Sequence, residues 1–448
     1  FGQVMWLTYL ISAILIYVIM IAWLSKKYPE THLKWEEINL DDVSFPSSFK
    51  WGVATAAHQI EGGNQNNWTE FEQKRGLEAS GSACNHWNLW KKDFDLLEEL
   101  GVITYRFSIE WSRIQPQEDT FDADALNIYG EMIDDLLTRK IEPMVTLHHF
   151  SHPIWFEEKG GFANKDNLRY WESYCQHVIE LLGDKVAKWC TINEPEVFSI
   201  MGYHMKLFPP GIRSIPRTIR VMKNMILAHG IAYALIKSHH PETKVGLAKN
   251  VTLFDPIRRW NLIDWVTARV LDYIWNNAII SGLQGKRMFG FRVLTKKENL
   301  DFIGLNYYTH VLTSPFLPQT TEIQFPKREH EIMTEFGYPM YAEGMVRSTE
   351  KLTKLNVPIC ITENGVADRQ DQLRIEHLKR HLKMVSEMIE QGHDIQGYYH
   401  WSLMDNFEWA EGYSMCFGLY DVNFETQERT LRESGKQYRD IIKSSVKK

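Results

Sequence analysis

The stretch LWKKDFDLLEELGVITYRFSIEW, residues 89–111, changes its period halfway along. Apolar residues recur at helical spacing through 89–101, which ends on Gly101. VITYRFSIEW (102–111) then runs in β-branched and aromatic residues, the composition of a strand. The same exchange repeats along the chain. Strand-like runs stand at FKWGVATAA (49–57), VITYRFSIEW (102–111), EPMVTLHHF (142–150) and VAKWCTINEP (186–195). They continue at KVGLAKNVTLF (244–254), LDFIGLNYYT (300–309), PICITENG (358–365) and IQGYYHWSLMD (395–405). Helical stretches separate them, such as EHLKRHLKMVSEMIEQG (376–392) before the last. Strand alternating with helix predicts βαβ units on a parallel sheet, and eight units predict an α/β fold closed as a (β/α)8 TIM barrel. A doubly wound open sheet is the competing architecture. It usually carries a glycine-rich phosphate turn after its first strand, and GVATAAHQIEGG (52–63) is not GxGxxG.

The composition of the 448 residues, 44% hydrophobic and 24% charged, suits a globular chain with a buried core. A net charge of −7 gives no footprint for nucleic acid, which is not expected as a partner. The 5 cysteines include no CxxC pair, so neither a zinc site nor a disulfide framework is suggested. Three units are expected: an anchor over 1–27, a polar linker over 28–42 and the barrel over 43–448. Residues 4–24, VMWLTYLISAILIYVIMIAWL, carry no charge and are long enough to span a bilayer as a helix. Trp6, Tyr9, Trp23 and Tyr28 lie toward its ends, where amphipathic rings favour the interface. A signal-peptide core would be shorter and would precede a small-residue cleavage site. A single-pass anchor is expected, with Lys26 and Lys27 placing the barrel in the cytosol by the positive-inside rule. Two triplets, Asn67-Trp68-Thr69 and Asn250-Val251-Thr252, fit the glycosylation pattern and point the other way.

In such a barrel the active site forms at the C-terminal strand ends. Those ends hold Gln59, Arg106, His149, Asn193 with Glu194, Asn306 with Tyr308, Glu363 and Trp401. A lone Gln or His there is an ordinary solvated loop residue; seven polar ends out of eight are not. Glu194 in TINEP and Glu363 in ITENG form a carboxyl pair of the kind glycoside hydrolysis uses. A carboxyl pair alone would equally serve a metal or a salt bridge.

The flanking motifs decide between these readings. TINEP (191–195) and ITENG (361–365) resemble the signatures of glycoside hydrolase family 1, the β-glucosidase family. The opening FPSSFKWGVATAAHQIEGG (45–63) and the closing YYHWSLMDNFEWAEGYSMCFGLYDVNF (398–424) are similar too. The resemblance implies a retaining β-glycosidase without metal or cofactor. It implies Glu363 as nucleophile, Glu194 as acid and then base, and Arg106 and Tyr308 beside Glu363. Asn193 and Asn306 would bind substrate, Asn193 at the sugar 2-hydroxyl. Gln59, His149, Trp401, Glu408 and Trp409 would form the glycone pocket, where a Glu408 carboxylate would repel a phosphorylated sugar. His58 and HHFSHP (148–153) depart from the family pattern and are expected at the pocket rim. The substrate is then a small-molecule or lipid-linked β-glycoside of glucose or galactose type. A membrane-anchored transglycosylase acting on glycolipids and a catalytically silent glycan-binding receptor are the alternatives.

Overall fold

The computed structural model describes residues 2–294, 299–316 and 325–446. Residue 1 of the expected anchor, and 295–298, 317–324 and 447–448 of the expected barrel unit, lie outside the described residues. Eight parallel strands close into a barrel: β1 Lys50–Ala54, β2 Thr104–Ser108, β3 Glu142–His148, β4 Lys188–Asn193, β5 Lys244–Asn250, β6 Phe302–Asn306, β7 Ile359–Asn364 and β8 Ile395–Trp401. Each pairs with its sequence neighbours, and β1 pairs β8 to shut the ring. Every strand falls inside one of the eight runs read from the sequence. Helices such as His86–Leu100, Ala123–Thr138, Leu168–Leu182 and Arg374–Glu390 pack outside, burying one face each. The first ends where expected, with Gly101 left-handed at φ 74°. All five thiols are free and buried.

Two strands lose register where they reach the C-terminal end. The β4–β5 pairing shifts between Cys190 and Asn193, and the β6–β7 pairing between Ile361 and Glu363. Such irregularities re-aim side chains and concentrate beside active sites. Glu194 follows in the left-handed region at φ 45°, a strain of roughly 1–3 kcal/mol for a non-glycine residue. Pro195 then opens the helix Pro195–Ile200, where its missing N–H costs nothing. In ITENG, a Cβ on Gly365 would lie 1.7 Å from the Trp401 carbonyl oxygen, so only glycine lets β7 pass β8 there.

The helix Gly2–Lys27 precedes the barrel, and its apolar part, Met5–Lys27, is long enough to cross a membrane and almost wholly exposed. A second helix of similar length, Ile215–His239, is half buried against the barrel. Residues 28–42, expected as a linker, are docked rather than free. Arg328 makes two 2.7 Å bonds to the Glu30 carboxylate, and Arg259 adds a third at 3.0 Å. Glu343 accepts from the Leu33 amide at 2.7 Å and the Trp35 indole at 3.0 Å. Of the charges in this segment, Glu30 is drawn into an ion-pair network, while Lys34, Glu36, Glu37, Asp41 and Asp42 remain exposed.

That network carries a pH-dependent prediction. Burial raises the Glu30 carboxyl, but bonds from His32 and Arg328 outweigh it and hold its pKa at about 2. A depressed carboxylate stabilises the fold above its unfolded pKa, and the contribution fades as pH falls toward 2. Glu30→Ala leaves two guanidinium groups without their carboxylate. Hydrogen exchange should show residues 28–42 opening about 3 kcal/mol more easily at neutral pH. The difference should shrink with acidification; protection unchanged by the substitution would refute the latch.

Candidate active site

Each expected site residue lies at the C-terminal end of the barrel, and they divide into two linked groups. In the first, Arg106 on β2 reaches across the barrel interior. Its Nη1 donates to Glu363 Oε1 at 2.5 Å and its Nη2 to Asn193 Oδ1 at 2.6 Å. Tyr308, just beyond β6, donates its hydroxyl to Glu363 Oε2 at 2.7 Å. Both oxygens of Glu363 therefore accept strong bonds, one of them from a permanent cation.

Glu194 meets different company. Its Oε1 accepts from the Asn306 amide at 2.8 Å and the Asn250 amide at 3.1 Å, with no cation bonded among the described residues. Asn306 also donates to Asn193 Oδ1 at 3.1 Å, while its own Oδ1 accepts from Thr362 at 2.6 Å. Two residues after Glu194, Glu196 is fully buried against Lys249 at 3.0 Å.

These surroundings push the two carboxyls apart. Burial, the negative charge of Glu363 and that of Glu196 hold Glu194 well above the usual carboxylate range. Burial raises Glu363 too, but Arg106 and Tyr308 oppose it, so a proton shared by the pair resides on Glu194. The proton is thereby favoured on Glu194 and the charge on Glu363, the division of roles a two-carboxylate glycosidase needs.

In the second group, Asn193 Nδ2 donates to His149 Nε2 at 3.0 Å. The His149 ring stacks on Trp401 and on Trp409, each with centroids 5.9 Å apart. Burial, Arg106 and His148 lower the His149 pKa far enough to keep the imidazole neutral. Gln59 Nε2 donates to Asn406, to the Phe407 carbonyl and to Glu408 Oε2 at 3.1 Å. Gln59 Oε1 and His149 Nδ1 have no hydrogen-bond partner among the described residues. A buried acceptor and a buried donor left open in one pocket suit a ligand with hydroxyl groups.

Three expectations change. Burial lifts Glu408 to about 8, against the Gln59 bond, so near pH 7 this group is mostly a neutral carboxylic acid. A phosphate would be excluded by the cost of desolvating it rather than by charge repulsion. His58 is not at a rim. It is buried, bonded to Glu72 at 3.0 Å and stacked behind Trp409 at 5.6 Å. In HHFSHP, His148 and His152 stack on each other in the core, and only His149 belongs to the site.

The sequence reading also passed over residues that the fold brings in. Asn250, the acceptor residue of one glycosylation triplet, is a second Glu194 partner beside Asn306, and its Oδ1 accepts from Trp275 at 3.2 Å. Asn67 is buried, with its amide on the Phe150 carbonyl at 3.2 Å. Neither amide nitrogen is available to a glycan. The polar end of β5 was the one signal that could have found Asn250.

A closed parallel barrel with two inequivalent carboxyls at its C-terminal end fits a glycoside hydrolase. The profile of glycosyl hydrolase family 1 matches residues 41–284 and 290–446, and the chain belongs to that family. It is 33% identical over 439 residues to β-glucosidase A of Thermotoga maritima, covering 90% of this chain and 98% of that one. The β-glycosidase from Pyrococcus horikoshii superposes with a TM-score of 0.83 at 40% identity, covering 90% of this chain and 96% of the other. The Thermotoga maritima family 1 β-glucosidase structure gives 0.84 at 32% identity, over 90% and 99%.

Proposed function

We propose that this glycoside hydrolase cleaves a non-phosphorylated β-glucoside or β-galactoside by double displacement, with Glu363 as nucleophile and Glu194 as acid/base. The observation that carries the assignment is the asymmetry of the pair: Glu363 is held by Arg106 and Tyr308, Glu194 by two neutral amides. Glu363 attacks the anomeric carbon as Glu194 gives its proton to the departing oxygen. The new ester has no charge, so the repulsion that raised Glu194 disappears and its pKa drops. It can then take a proton from water, which attacks the anomeric carbon as the bond to the Glu363 oxygen breaks, releasing the sugar with its configuration retained and Glu363 as a carboxylate. Asn193 bonds the 2-hydroxyl, Asn306 braces both Asn193 and Glu194, and Trp401 and Trp409 carry the ring faces. Following the anomer released from an aryl β-glucoside by proton NMR tests the route: the β-anomer must appear first. First appearance of the α-anomer would mean a single inversion.

Glu408 and Gln59 would grip hydroxyls at the far side of the ring. Glu408→Gln should lower kcat/KM about 2–10-fold, equivalent to roughly 0.5–1.5 kcal/mol for one neutral hydrogen bond, mainly through KM. A glycoside lacking the 4-hydroxyl should show little further loss in the variant. Equal losses for both substrates would remove Glu408 from this contact.

The exposed apolar helix ahead of the barrel supports single-pass anchoring. With Lys26 and Lys27 at its barrel end, the positive-inside rule puts the barrel on the cytosolic side. Such an anchor would hold the pocket close to lipid-linked β-glycosides.

A further inference from the structure

Residues 260–273, WNLIDWVTARVLDY, form the helix Leu262–Asp272 with its flanks, and the exposure pattern there is inverted. A surface helix normally turns its polar residues outward. Here the exposed residues are Trp260, Ile263, Val266, Val270 and Tyr273, and none of them is charged. They recur at three- and four-residue steps, so they form one stripe along the helix. The acids face inward: Asp264 pairs with Arg258 at 2.8 Å, and Asp272 with Lys351 at 2.8 Å. Phe316, also exposed, extends the patch across the Arg258 guanidinium.

The Trp260 end of the stripe lies beside the candidate span. The Tyr17 hydroxyl donates to the Trp260 carbonyl, and Arg259 reaches the Ser25 and Tyr28 carbonyls at 3.3 and 3.1 Å. Tyr28 packs on Trp265 with centroids 6.2 Å apart, and Arg269 lies 4.2 Å above the Tyr28 ring. Tyr17 stands seven residues before Leu24, the last apolar residue of the run. At a helical rise of ~1.5 Å per residue, Trp260 is carried about 10 Å along the span from its barrel end. That is the depth, about 5–10 Å, at which interfacial amphipathic helices lie.

We infer that the stripe from Trp260 to Tyr273 is a second bilayer-contact surface, immersed in the headgroup region beside the span; this rests on the membrane reading of Gly2–Lys27. The lipid interface is the occupant the geometry selects, because the span that would bring a bilayer here is bonded to the Trp260 carbonyl at one end of the stripe. The same surface lies at the site's end of the barrel. Its chain leaves β5 at the C-terminal end, and Leu253–Pro256 pairs with His310–Thr313 beyond β6. Trp275, two residues past the stripe, bonds the Asn250 side chain that holds Glu194. The membrane contact and the acid/base residue are therefore joined through two hydrogen bonds, and an amphiphilic glycoside could reach the pocket from the bilayer side.

The test uses the full chain in vesicles of phosphatidylcholine and phosphatidylglycerol. Its five native thiols are buried, so single cysteines can be spin-labelled at Val266, at Ile14 in the span, and at Leu137, which precedes β3 at the opposite barrel end. Val266 and Ile14 should both show oxygen collision rates several-fold above those of a water-soluble nickel chelate, with Leu137 the reverse. Ile14 in lipid with Val266 in water would overturn the inference and leave the anchor standing. Ile14 in water would overturn the membrane reading, and the inference with it. Low access of both reagents at Val266 would mean a protein partner, which also overturns it. Independently, Ile263→Asp with Val266→Asp and Val270→Asp should lower turnover of a vesicle-embedded alkyl β-glucoside several-fold while leaving a soluble aryl β-glucoside unchanged. Equal effects on both substrates would count against the bilayer contact.

Discussion

Glu363→Gln is expected to lower kcat on aryl β-glycosides by about four orders of magnitude or more, with KM changed far less. Gln is nearly isosteric and still accepts the Tyr308 hydroxyl, but it cannot form the glycosyl ester. Arg106 would then face a neutral amide while fully buried, so the variant should also be less stable. Thermal unfolding of the variant separates that effect from lost chemistry. A shorter substitution, Glu363→Ala, leaves room for azide, which should restore turnover and yield the α-glycosyl azide from one inversion. Turnover by Glu363→Gln near the wild-type rate would remove Glu363 from the covalent step.

The second large effect belongs to Glu194 and depends on the leaving group. Glu194→Gln should cost about 10²–10⁴-fold with a poorly activated alkyl leaving group, which needs the proton. With an activated nitrophenyl group the first step should survive and hydrolysis of the ester become limiting, visible as a burst of nitrophenol. The pH profile adds a check with a defined sign. In the wild type Glu194 must be protonated in the first step, so kcat/KM falls as pH rises through its elevated pKa. The Gln variant cannot titrate, and that alkaline limb should vanish. If the limb persists, another group supplies the proton.

Most of the barrel could be read along the chain because its signals are local. Period-two and period-3.6 patterning need only neighbours within a turn, and Gly101, Pro195 and Gly365 mark where elements must end or pass closely. The candidate catalytic residues were legible for a related reason. In a parallel barrel every strand runs the same way, so the polar residues at eight strand ends must meet. What resisted reading was pairing across distance. Glu30 finds Arg328 and Glu343 finds Trp35, each about three hundred residues away, so a docked segment looked like a linker. Asn250 looked like a surface acceptor for a glycan because its triplet is local, whereas its bond to Glu194 is made by a neighbouring strand.

The sequence alone determined the eightfold repeat, the two carboxyls and the apolar N-terminal run, since composition and period encode each of them. Only the tertiary structure decided which partners hold each carboxyl, that His58 lies behind Trp409 rather than at a rim, and that Glu408 is mostly neutral near pH 7. Those outcomes depend on burial and on charges brought close by folding. A carboxyl's pKa is set by the dielectric and the partners around it, and neither is written in its neighbours along the chain.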